Sequence, residues 1–180
     1  MPRYRIPAEH EYLYHVTYSG RVPSIAARGL RPGQARAIGA PSYDAHASRG
    51  VFLTAPRGAY FWHGRAEAFA EHSSDDVVAD ELIPVVLRVE VRDSDGVERD
   101  DPGSRDALAE AVIVKNAIAP GRLEVFDGSD WVDIGDYDSI DFEQAVDTES
   151  SDDEYDDDGQ PVRWHYFKPR SPLFPEELRP

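Results

Sequence analysis

The chain of 180 residues contains no cysteine, which removes disulfides, thiolate metal sites and a cysteine nucleophile together. Lysine is almost missing as well: only Lys115 and Lys168 occur, and arginine supplies the rest of the 19 basic residues. Nowhere does an apolar run approach the roughly 18 residues needed to cross a bilayer. The opening stretch MPRYRIPAEHEY has no apolar segment of the kind a secretory leader carries, so the cytoplasm is the expected compartment. A toxin delivered by a dedicated apparatus would read the same way. Neither H-E-x-x-H nor G-x-G-x-x-G occurs, and no phosphate-binding glycine loop is present, which leaves zinc-protease, Rossmann and kinase-like sites without support.

Charge is what the chain has in excess: 35 acidic residues against 19 basic ones give a formal net charge of −16. Such a chain should be repelled by duplex DNA and anionic membranes if the charge were even. It is not even. Asp127–Asp158 holds 15 acidic residues and no Lys or Arg, so the remainder carries only −1. The first 65 residues carry nine arginines against three acids, a local +6. Asp147–Gln160 (DTESSDDEYDDDGQ) is low-complexity and reads as a disordered acidic segment. The expected organisation is a domain over 1–146, this segment over 147–160, and a strand with a proline-rich end over 161–180.

Local patterns predict a mixed α+β domain of short strands and few helices. Tyr12–Tyr18 (YLYHVTY), Gly50–Ala55 (GVFLTA) and Ile83–Val91 (IPVVLRVEV) read as strands from their aromatic and β-branched content. Ala111–Val114, Arg122–Phe126 and Val162–Phe167 are shorter ones, and Trp131–Ile134 and Tyr137–Val146 are weaker elements. A helix follows Ser19, with Val22, Ile25 and Ala26 at helical spacing and Gly29 closing it. A second spans Tyr60–Glu71. Leu30–Arg49 reads as a loop, and Arg92–Gly103 as a turn-rich connection.

The stretch that carries chemistry is Leu13-Tyr14-His15-Val16-Thr17, a helix, then Gly29-Leu30, followed about twenty residues later by Gly50-Val51-Phe52-Leu53-Thr54 and the aromatics Tyr60-Phe61-Trp62. This order resembles the ADP-ribosyltransferase fold, in which a "YH-x-T" strand precedes a helix, a "GL" turn and a "G-V-F-L-T"-like strand. Ile118-Ala119-Pro120-Gly121-Arg122-Leu123-Glu124 is similar to the ending of bacterial ADP-ribosyltransferase-like proteins and RNA 2′-phosphotransferases. The resemblance spans roughly Tyr12 to Phe126. It implies two packed sheets of short mixed or antiparallel strands, with NAD as substrate and no metal. It gives catalytic roles to His15, Tyr60 and Glu124. His15 would bond ribose hydroxyls, Val16 would hold the nicotinamide amide through its main chain, and Tyr60, supported by Phe52 or Phe61, would stack on the ring. Thr17, Thr54 and Arg31 complete the implied NAD contacts, with Arg28 and Arg49 as further arginines for the pyrophosphate. Cleavage of the nicotinamide–ribose bond passes through an oxocarbenium-like state, and Glu124 would stabilise its charge.

Two departures bear on the acceptor. Val16 stands where many members have Gly or Ser, and Arg122 stands two residues before Glu124, where arginine-modifying toxins have Glu or Gln. The resemblance therefore points to an ADP-ribosyltransferase whose acceptor is a nucleic acid or nucleotide before protein arginine. The alternative is a non-catalytic interaction protein on the same scaffold, its acidic segment binding a basic partner, an antitoxin or an inhibitor. A calcium loop around Gly159 fails because His165 falls where the bidentate Glu belongs.

Overall fold

A computed structural model describes residues 12–33, 50–72, 82–99, 111–146 and 169–179. Tyr12–Tyr18 (β1) is the strand its composition predicts, and the tight turn Ser19–Arg21 leads from it into α1, Val22–Arg28, with a proline in the first turn. Gly29 ends α1 with φ +72°, and a Cβ there would lie 2.0 Å from the Ile118 carbonyl oxygen. Only glycine meets both conditions. Leu30 then exchanges main-chain hydrogen bonds with Ile118, tying the turn to a segment distant in the chain.

The other elements are β2 (Val51–Thr54), α2 (Pro56–His72), β3 (Pro84–Glu90), β4 (Val97–Arg99), β5 (Ala111–Val114), β6 (Leu123–Phe126), β7 (Trp131–Asp133) and α3 (Phe142–Val146). α2 starts four residues earlier than its apolar pattern suggests, because Pro56 is tolerated in a first turn whose N–H groups lack intrahelical partners. The turn-rich connection after β3 contains a strand that was not expected, β4, three residues long at the sheet edge. The acidic segment Asp147–Gln160 and the expected strand Val162–Phe167 lie outside the described residues.

The seven strands form one antiparallel sheet in the order β4-β5-β2-β1-β3-β6-β7. This corrects the expectation of two packed sheets: the described strands belong to a single sheet whose halves are unequally joined. β1 pairs with β3 over seven residue pairs, from Tyr12↔Glu90 to Tyr18↔Pro84. It pairs with β2 over one only, Tyr14↔Thr54.

Side-chain alternation gives the sheet two different faces. The face bearing Leu13, Leu87 and Val125 packs on Val22 and Ile25 of α1 and on Ile118, forming the larger core cluster. The other face receives α2 and the C-terminal segment, with Val86, Ala59, Phe174 and Leu178 buried together. Arg122 closes one edge by donating to the Glu90 carbonyl at 3.0 Å and pairing with the buried Asp95. The residue that departs from the arginine-modifying pattern thus has a structural partner.

Candidate functional site

The site is built from the point where the two halves of the sheet meet. The N–H of Ser19 donates to Ile83 O at 2.8 Å, continuing the β1–β3 register by one step. This sets the phase of β1: odd-numbered residues exchange hydrogen bonds with β3, and even-numbered ones turn their N–H and C=O toward β2. Tyr14 meets Thr54 in that direction. A continued ladder would next pair Val16 with Phe52, but the pairing stops. The Phe52 carbonyl instead accepts a hydrogen bond from the His15 ring, Nδ1 to O, at 2.9 Å. The imidazole has taken the acceptor that the Val16 N–H would meet in a regular sheet.

This contact settles the histidine's chemistry. A carbonyl only accepts, so Nδ1 carries the proton. Burial pushes the His15 pKa below its ordinary 6.5, and the nearby Arg21 guanidinium pushes the same way, against the opposing effect of the Phe52 carbonyl. The ring is therefore neutral at pH 7 and Nε2 presents a lone pair. Among the described residues no hydrogen bond reaches Nε2. A neutral acceptor on a partly exposed ring, beside main-chain groups of Val16 and a cation at Arg21, suits a ligand with hydroxyls and a negative charge.

Register separates the expected site residues. His15 lies opposite Leu87, and Leu87 opposite Val125. Tyr14 lies opposite Arg88, and Arg88 opposite Glu124. Glu124 therefore projects from the face opposite His15, where it accepts from Arg88 Nε at 2.7 Å. Arg88 itself lies over the rings of Tyr12 and Trp131, 4.5 and 4.8 Å from their centroids. Tyr60, on α2, packs on that second face too, edge-on to Phe174 at 5.6 Å. His15, Tyr60 and Glu124 do not converge on one pocket.

The remaining expected contacts divide likewise. Phe52 reaches His15 through its carbonyl, while its side chain shares the second face with Thr54. Thr54 is buried, and a Cβ on Gly58 would fall 1.7 Å from its hydroxyl, so α2 seals it. Thr17 shares the His15 face but is 1% exposed, and its hydroxyl has no partner; it lies beneath the surface a ligand can reach. Arg31 is exposed and donates to the Arg28 carbonyl at 3.1 Å. Arg49 lies outside the described residues.

Arg21 was not singled out by sequence; the signal was its place in the turn that follows β1, six residues after His15. The first part of the acidic window serves the fold. Asp127, Asp133 and Asp141 accept from the main-chain N–H groups of Ser129, Gly135 and Gln144, as turn and cap residues do. A polar cleft of about 410 Å³ lies between Ser19, Ile83 and the Asp138–Glu143 stretch. Among the described residues no group of three His, Asp or Glu is arranged to hold a metal. No family model, no curated protein and no solved structure matches the chain.

Proposed function

We propose that the chain binds NAD at the β1–β2 junction and transfers or hydrolyses its ADP-ribose. The observation that carries this reading is the neutral His15 ring, tied through Nδ1 to Phe52 and offering Nε2 where the two strands part. A ribose hydroxyl is the complementary donor. The N–H and C=O of Val16, turned toward the same gap, match the oxygen and NH₂ of a nicotinamide carboxamide. Arg21 adds a positive charge suited to a pyrophosphate.

In the reaction the nicotinamide–ribose bond breaks heterolytically and nicotinamide leaves with the electron pair. The ribose carries the positive charge until an acceptor attacks and surrenders its proton. A carboxylate near that charge lowers the barrier. Glu124 is on the other face. The basic front of the chain favours a nucleic-acid or nucleotide acceptor.

The test is release of nicotinamide from NAD, with and without single-stranded nucleic acid. His15→Ala is expected to lower the rate about 100-fold, near 2.7 kcal/mol in the barrier. Glu124→Gln should leave it within about threefold, an effect below 1 kcal/mol. Loss of turnover in Glu124→Gln would return the catalytic carboxylate to Glu124 and contradict the placement of the site on the His15 face. A wild-type chain that neither binds nor cleaves NAD removes the reading.

A further inference from the structure

The second face of the sheet carries a device independent of the NAD reading. Glu67 on α2 accepts the main-chain N–H groups of two successive residues of the C-terminal segment, Arg170 at 3.0 Å and Ser171 at 2.8 Å. Its carboxylate also lies 3.3 Å from Nδ1 of His63, one turn earlier on the helix, whose Nε2 is 3.2 Å from the Pro84 carbonyl of β3. His63 is fully buried, with the Phe174 ring 5.2 Å away across its edge. The Phe174 ring of the segment thus packs on the histidine beside the carboxylate that holds the segment.

The segment buries its apolar side chains against the body, Leu173 in the larger core cluster and Phe174 and Leu178 in the smaller one, but its turns are its own. Its turns close on themselves through Leu173 N to Ser171 Oγ, Phe174 N to Ser171 O, Leu178 N to Pro175 O and Arg179 to the Pro169 carbonyl. It adds no strand to the sheet, so its departure breaks no ladder. Pro169, Pro172 and Pro175 restrict its free conformations, which lowers the entropy lost on docking. A further polar tie to the body is Trp131 Nε1 donating to the exposed Glu177.

We propose that Pro169–Arg179 is a detachable strap, latched to α2 by the Glu67 carboxylate and released as a unit, with the sheet intact, when that carboxylate is neutralised or removed. The groups facing Glu67 are His63 and, more distantly, Tyr60 from α2, and the Arg170 and Ser171 amides from the strap. Burial alone would raise the Glu67 pKa; His63 and the two amides outweigh it and hold it below the ordinary 4.5. The latch is therefore complete at neutral pH and lost as pH falls through the lowered value.

Hydrogen exchange on the full chain tests this. In Glu67→Gln, which keeps one acceptor oxygen but turns an NH₂ toward the two amides, the Leu173, Phe174 and Leu178 amides should lose protection at least tenfold. Those of β3 should be unchanged. The wild-type chain, compared at pH 7 and at about pH 3.5 with intrinsic exchange corrected, should show the strap opening before β3. Strap protection unchanged in the variant, or strap and β3 losing protection together in both experiments, would overturn the proposal.

Discussion

At the scale of single residues, His15 owes its character to a competition for one carbonyl. Its ring occupies the Phe52 acceptor, which fixes the tautomer, and burial keeps it neutral. The folded pKa lies below the unfolded one, so the unfolded chain binds the extra proton first as pH falls. Stability should therefore drop as pH falls below about 6.5, and His15→Gln should flatten that part of the curve in urea titrations between about pH 5 and 7.5. Thr17 gives the opposite kind of prediction. Its hydroxyl is buried and has no partner, so Thr17→Val should leave stability unchanged or raise it by up to about 1 kcal/mol. It should also leave NAD turnover intact; a loss of turnover at unchanged melting temperature would mean that the hydroxyl meets ligand after all.

At the scale of elements, Gly29 shows how a turn positions a site. Gly29→Ala should cost about 2 kcal/mol, visible as a lowered thermal midpoint, since the positive φ and the Ile118 carbonyl both exclude a side chain. The strands and helices nearest the site were legible because their apolar content is strong: β1 and α1 fall where YLYHVTY and the Val22-Ile25 spacing place them, and β2 and β3 lie within GVFLTA and IPVVLRVEV, a residue shorter at each end. β4 was hidden, for Val97 is its one apolar residue and edge strands need little burial. The site was legible only in part. His15 announces itself by type and context, but which face Glu124 occupies depends on the strand partners of β3, and one step in register reverses it. Sequence order also cannot show that the β1–β2 pairing ends after one pair.

At the scale of the whole molecule, the charge of −16 divides by role. Asp127, Asp133 and Asp141 build turns beside β7 and α3, while Arg21 stands in the turn after β1, close enough to act on His15. The sheet is joined at its centre by one residue pair and a histidine side chain, and NAD is proposed to bind at that weak joint. The most direct test is calorimetric titration of NAD into the full-length chain and its His15→Ala and Glu124→Gln variants. The account predicts that the wild-type and Glu124→Gln chains bind NAD alike and that His15→Ala, still folded at the titration temperature by circular dichroism, weakens binding at least about tenfold, near 1.4 kcal/mol. No heat of binding in the wild-type chain, or equal affinity in His15→Ala, would contradict it.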